Sequence, residues 1–245
     1  ETMSNKLQGT RIALNRKKIN KLPALSGVYT FNDKGKPLYI GKAINLKARL
    51  LSHLENAKLD RKEKLILAHS DQIEYFLTDS EFKALVLESK LIRLHHPKYN
   101  VRWRDDKSYL YIKISKYEDY PKILIVRKGK DPKAILFGPF PSVRSVQEIL
   151  RQVRRIFPFC SQQKIGKQPC FYSKIGLCNP CPNYIESLSD QETKRKLKRL
   201  YRKNISNIIK ILNGNIESVE KILQQELNSL VDRQGYEEAI DVRNR

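Results

Sequence analysis

Apolar and polar positions change rhythm several times along the chain, and each change marks a predicted element. Ser26 to Phe31 and Pro37 to Ile40 carry the β-branched and aromatic residues of two short strands around the polar turn Asn32-Asp33-Lys34-Gly35. That pattern predicts a hairpin. Leu46 to Leu54 and Leu59 to His69 have apolar residues at helical spacing, whereas Ile73 to Leu77 alternates as a strand does. Thr78 stands three residues ahead of Glu81, the spacing of a capping box that opens a helix through about Leu94. Pro97-Lys98-Tyr99-Asn100 ends that helix, and strands follow at Tyr109 to Ile114, Lys122 to Val126 and Ala134 to Phe137, then a helix from Ser142 to Phe157. Asp190 to Leu212 and Glu217 to Leu230 carry heptad-like Leu and Ile positions on either side of Asn213-Gly214-Asn215, which predicts a helical hairpin. A further helical pattern is under way at Arg245, as in a fragment of something longer. The fold class expected is α/β (α+β): a small mixed sheet flanked by helices, a small β-rich section, a Cys-rich loop and a C-terminal helical hairpin.

Charge adds a partner to this picture. Lys and Arg number 48 against 26 acidic residues, a net charge of +22. Basic residues concentrate in Arg11 to Lys21, Arg102 to Lys107, Arg151 to Arg155 and Lys194 to Lys203. One such run is an ordinary solvated face; four together call for a polyanion, nucleic acid rather than an anionic membrane surface. No stretch approaches the ~18 uninterrupted apolar residues of a membrane helix. With no secretory signal, the chain is expected in the cytoplasm. Glu1 and Thr2 ahead of Met3, the only methionine, read as a tag remnant.

All four cysteines fall in one short segment, at Cys160, Cys170, Cys178 and Cys181, with Pro169, Pro180 and Pro182 beside them. A tight loop of this kind lets sulfurs converge on one point. A single CxxC followed by proline resembles iron–sulfur ligation more than a zinc ribbon, which shows two CxxC pairs. Zinc remains a second choice and two disulfides a third.

Within the hairpin, strand alternation sets Tyr29 and Tyr39 around a common surface, with Gly27 and Gly41 leaving room for close approach. Arg49 and His53 lie four apart, on one face of the next helix, and Lys42 sits at the hairpin exit. A guanidinium there can hold a scissile phosphate. Glu88 interrupts a stripe of Ala84, Leu85, Leu91 and Ile92. A carboxylate so placed must be paired, protonated or metal-bound. Each feature also has a plainer account: packing tyrosines, a solvated Arg49, and a salt bridge from Glu88 to Arg49 or Lys42.

Gly27-Val28-Tyr29, Tyr39-Ile40-Gly41, Arg49-x-x-x-His53, Glu88 and Asn100 occur in the order that marks the GIY-YIG nuclease superfamily, which this chain resembles. The resemblance narrows to the N-terminal half of the UvrC family, the nuclease subunit of the bacterial excinuclease ABC system. Leu22-Pro23, Tyr39-Ile40-Gly41-Lys42-Ala43 with Asn45-Leu46, Pro97-Lys98-Tyr99-Asn100, Asp105-Asp106-Lys107-Ser108-Tyr109 and Phe137-Gly138-Pro139-Phe140 carry it. It implies a GIY-YIG domain in which Tyr29 is general base on the attacking water, assisted by Lys42, Tyr39 and His53. Arg49 stabilises phosphate charge, Glu88 is the single protein ligand of Mg2+ or Mn2+, and Asn100 supports the site. A free tyrosine has a pKa of about 10, so Tyr29 needs nearby positive charge to act at neutral pH. Val28, where the family has isoleucine, is a conservative departure.

The same resemblance implies a 4Fe-4S cluster on the four cysteines, with Zn2+ as the alternative. Leu227 to Arg243, with Tyr236-Glu237-Glu238-Ala239, resembles the UVR hairpin that contacts UvrB, cut short here. The implied substrate is damaged double-stranded DNA presented by UvrB within the UvrA-UvrB assembly, cut 3′ to the lesion. Expected domains are a basic tail (1–21), the GIY-YIG endonuclease (22–102), an intervening α/β section (103–158), a cluster-binding region (159–184) and a helical region (185–245). Two other functions fit the same sequence: a stand-alone Cho-type repair nuclease, and a redox-sensing DNA-binding protein on an inactive nuclease fold.

Overall fold

The computed structural model describes residues 9–101, 110–115, 117–127, 131–140, 142–162, 164–166, 168–233 and 235–244. The basic run Arg102 to Lys107 and the Asp105 to Tyr109 motif lie outside them. The chain divides into two compact units, Glu1–Ser108 and Tyr109–Arg245.

The first unit comprises β1 (Thr10–Ala13), α1 (Arg16–Ile19), β2 (Gly27–Asp33), β3 (Lys36–Ala43), α2 (Leu46–Asn56), α3 (Arg61–Ala68), β4 (Gln72–Leu77), α4 (Glu81–His95) and α5 (Lys98–Val101). Its four strands pair antiparallel in the order β1-β4-β2-β3. Central β2 pairs with both neighbours, setting Tyr29 opposite Gly41 on β3 and Tyr75 on β4. Alternation along β2 then feeds two cores. Tyr29 and Phe31 join Ile19, Leu46, Leu50, Ile66 and Ile73, while Val28 joins Ile40, Ala84, Leu91 and Ile92 beneath α4. A strand covered on both faces reads as a continuous buried run, and β2 is buried from Gly27 to Asn32.

Two local expectations change here. Residues 10–19, read from their charge as tail, form β1, paired with β4 from Thr10↔Tyr75 to Ala13↔Gln72, and α1, which buries Ile19. Elements of four residues are too short to show a period. At α4 the N-cap is Ser80, whose hydroxyl accepts from the Lys83 amide at 3.1 Å. The Thr78 hydroxyl donates instead toward Ser26 Oγ and the Ser80 carbonyl, at 3.2 and 3.1 Å, two residues ahead of the cap of a helix that begins at Glu81.

The second unit comprises β5 (Leu110–Ser115), β6 (Ile123–Val126), β7 (Ala134–Phe140), α6 (Val143–Ile156), α7 (Phe171–Lys174), α8 (Pro182–Ser187), α9 (Gln191–Leu212), α10 (Ile216–Asp232) and α11 (Tyr236–Arg243). A three-stranded antiparallel sheet, β6-β5-β7, carries α6 against it through Val146, Ile149 and Val153. Tyr201 of α9 ties the helical part to the cysteine loop: its hydroxyl donates to the Pro121 carbonyl at 2.6 Å and accepts from the Cys160 amide at 3.3 Å. Among the described residues no helix is long and apolar enough to cross a membrane.

Candidate active site

The hairpin β2–β3 and the helix after it build one cluster around the Tyr29 hydroxyl. Gly41 makes room for it: a Cβ there would lie 2.5 Å from Tyr29 Oη. Asn45 caps α2 by accepting from the Ala48 amide at 3.0 Å, and the next turns aim Arg49 and His53 at the sheet. His53 Nε2 lies 2.5 Å from Tyr29 Oη, and Arg49 Nε donates to the same oxygen at 3.3 Å. Tyr39 closes the group, its ring centroid 6.3 Å from that of Tyr29 and 5.7 Å from that of His53. Tyr29 and His53 are buried whereas Arg49 is exposed, so the guanidinium joins the buried phenol to the surface a phosphate would approach.

Glu88, Lys42 and Asn100 act on the backbone of β3. Glu88 Oε1 accepts from the Lys42 amide at 3.0 Å, one residue beyond Gly41. The side-chain salt bridge weighed for Glu88 does not form with Lys42, whose ammonium turns to Glu81 at 2.7 Å. Asn100 clamps Ile40 from both sides, Oδ1 accepting its amide and Nδ2 donating to its carbonyl, each at 2.8 Å. The clamp holds β3 where Tyr39 and Gly41 flank Ile40. The structure therefore brings Tyr29, Tyr39, Arg49 and His53 together, sets Glu88 and Asn100 on the adjoining backbone, and directs the Lys42 side chain to a surface pair.

Exclusion of water shifts these groups. Burial pushes the Tyr29 phenol well above its ordinary value, with Tyr39 adding to the rise and Arg49 opposing it. Burial likewise raises Tyr39, and Glu88 adds to it. Burial lifts the Glu88 carboxyl to about 7, against the pull of the Lys42 amide and of the Lys42 and Arg49 charges. A half-buried carboxylate whose charge is this poorly compensated suits a hard divalent cation, which takes one protein carboxylate and completes its shell with water and phosphate oxygens. The donor set fits the ion.

One further residue belongs to the cluster and escaped the sequence. Glu63, in the first turn of α3, hydrogen-bonds His53 Nδ1 through Oε2. Asp60 caps that turn, accepting from the Lys62 and Glu63 amides at 2.7 and 3.0 Å. An acid in the first turn of a helix is what the macrodipole favours anyway, so nothing in its sequence setting marked it.

In the second unit all four cysteines are buried free thiols. The sulfurs of Cys170, Cys178 and Cys181 lie within 4.8 Å of one another, and Cys160 is hydrogen-bonded to Cys178. That bond, with help from the Gln162 amide, Lys122 and Arg154, holds the Cys160 thiol down at about 6. Asn183 braces the loop, accepting from the Gly166 amide at 2.9 Å and donating to the Gln168 carbonyl at 2.6 Å. Thiols gathered this closely, with Cys160 and Cys181 both held below the ordinary thiol value, fit a soft metal or cluster.

Residues 25–101 match the UvrC-like GIY-YIG domain, so sheet, hairpin and tyrosine cluster define a protein of the GIY-YIG class. Residues 109–198 match the UvrC/Cho excinuclease middle domain. The chain belongs to the UvrC family. It is 37% identical over 238 residues to the UvrABC system protein C of Caldanaerobacter subterraneus, covering 94% of this chain and 37% of that protein. The UvrABC system protein C of Moorella thermoacetica is 35% identical over 233 residues, covering 93% of this chain and 36% of that one. The chain thus spans somewhat over a third of the length of these relatives. The magnesium-bound GIY-YIG N-terminal endonuclease domain of UvrC from Thermotoga maritima is 43% identical, covering 35% of this chain and 94% of that one, with a TM-score of 0.33.

Proposed function

We propose that the chain hydrolyses one phosphodiester of damaged double-stranded DNA, 3′ to the lesion, in nucleotide excision repair. The observation that carries this reading is the convergence of Tyr29, His53 and Arg49 on a single hydroxyl oxygen, with Glu88 bonded to the backbone just beyond the facing Gly41. Tyr29 takes a proton from the attacking water as it passes its own to His53, Arg49 meets the charge that grows on the phosphate, and Asn100 and Tyr39 hold the hairpin in shape. Glu88 would hold Mg2+ or Mn2+, which supplies Lewis-acid stabilisation when bound. Lys42, paired with Glu81, contributes its charge to the field around Glu88.

Family membership supports, as partners, DNA presented by UvrB in the UvrA-UvrB assembly, with α10 and α11 offered for the UVR-type contact. We assign residues 22–102, joined by β1 and α1 of the N-terminal segment, to the nuclease, 103–158 to the intervening section, 159–184 to a 4Fe-4S site and 185–245 to the helical region. Relatives named UvrABC system protein C favour this form over the Cho type. A redox sensor on an inactive fold is disfavoured because the residues of the cluster are present and in contact.

The test is nicking of a lesion-bearing duplex loaded with UvrB, in Mg2+. Wild type should cut 3′ to the lesion. Glu88→Gln should lose at least about a hundredfold in rate, the order seen when one group stabilising transition-state charge is removed, while keeping its melting temperature and DNA affinity. Equal rates would refute Glu88 as the ion's ligand.

A further inference from the structure

Tyr29 is buried, and among the described residues the acceptor for the proton it would shed is His53 Nε2, at 2.5 Å. Whether that nitrogen can accept depends on where the imidazole keeps its single proton. A neutral imidazole protonated at Nδ1 presents a lone pair at Nε2; the other tautomer presents an N–H there and can only donate. His53 is 1% exposed, so water does not decide the matter. Glu63 decides it. Its carboxylate bonds to Nδ1, and an ionised carboxylate only accepts, so the proton is held at Nδ1 and Nε2 is left open toward Tyr29.

We infer that Glu63 is a positioning residue of the nuclease reaction: it fixes the His53 tautomer and orientation so that Tyr29 can pass its proton on while taking one from the attacking water. The inference rests on the nuclease reading above. The protons balance along the line. As the water oxygen bonds to phosphorus and the leaving oxygen departs, the water proton moves to Tyr29 Oη and the Tyr29 proton moves to Nε2. The leaving oxygen is protonated by solvent. The imidazolium so formed lies against the Glu63 carboxylate and afterwards returns its extra proton to solvent through Tyr29.

The geometry of α3 suits this task. Asp60 locks the first turn that carries Glu63, and among the described residues His53 is the partner of the Glu63 carboxylate. Neighbouring charges have other work: Arg49 of α2 is on the Tyr29 oxygen, the Lys62 ammonium lies 5.3 Å over the Tyr39 ring, and Glu88 of α4 is bonded to the Lys42 amide. Tyr39 of β3 packs on the imidazole edge to face. Removing Glu63 would leave both tautomers open.

Glu63→Ala, Glu63→Leu and Glu63→Asp would be compared with wild type and Tyr29→Phe in the same UvrB-loaded nicking assay, and His53 observed by long-range nitrogen–proton NMR on 15N-histidine protein. Wild type should show the Nδ1-protonated ring. Glu63→Ala should show a mixture in which the Nε2-protonated ring appears, and lose about a hundredfold or more in rate, within the range for general acid–base groups. A purely structural loss would lower the rate without changing the tautomer. Glu63→Asp should recover part of the rate. If alanine unfolds the domain, Glu63→Leu, which keeps the bulk and can neither accept nor donate, decides. Wild-type rate and tautomer in Glu63→Ala or Glu63→Leu, with Tyr29→Phe inactive, overturn the inference alone. A wild type that cuts nothing under Mg2+ overturns the nuclease reading, and the inference falls with it.

Discussion

Tyr29 faces Gly41 across the β2–β3 ladder, and a methyl group at Gly41 would come within 2.5 Å of the Tyr29 hydroxyl. The ring is fully buried and cannot swing aside without breaking its bond to His53. Gly41→Ala should therefore overpack the site, costing about 1–3 kcal/mol in chemical denaturation and most of the nicking rate. A variant as stable as wild type would show that the hairpin yields more easily than its packing indicates. Tyr29, Tyr39, Arg49, His53 and Glu88 could be named from the chain because each sits at a distinctive spacing or breaks a pattern, and Asn100 only through the family resemblance. Glu63 and Glu81 could not, since acids near helix starts are ordinary; only the folded chain shows that one meets an imidazole and the other the Lys42 ammonium.

Helix α4 carries Glu88, and its start depends on one serine. Ser80 has the extended backbone of a cap, and its side chain accepts from Lys83. Ser80→Ala should cost about 1 kcal/mol, read as a lower denaturation midpoint at unchanged slope; no shift would return the cap to Thr78. The capping-box spacing pointed two residues too early because it records residue types and not what else a hydroxyl bonds, here Ser26 on the chain entering β2. The cysteine loop is the second unit's own element. Protein purified without oxygen should show a broad band near ~400 nm and about four irons per chain for a 4Fe-4S cluster. A colourless protein with one zinc would instead make the loop a zinc site.

At the scale of the whole chain, the net charge of +22 exceeds what the surface ion pairs consume, since every such pair is neutral. Binding to duplex DNA should fall at least about a thousandfold between about 50 and 200 mM salt if six or more phosphates are contacted. A constant unchanged over that range would remove charge as the source of grip. By itself the sequence determined the hairpin, most other strands and the longer helices, the clustering of the cysteines and the candidates for most of the site, because periodicity, turn chemistry and a misplaced carboxylate are local and survive in one dimension. Only tertiary structure decided that residues 10–19 complete the sheet, that Lys42 turns away from Glu88, and that Glu63 reaches His53. Those outcomes depend on which backbone donors, hydroxyls and charges meet once β3, α2, α3 and α4 pack, and a chain of letters does not contain those distances.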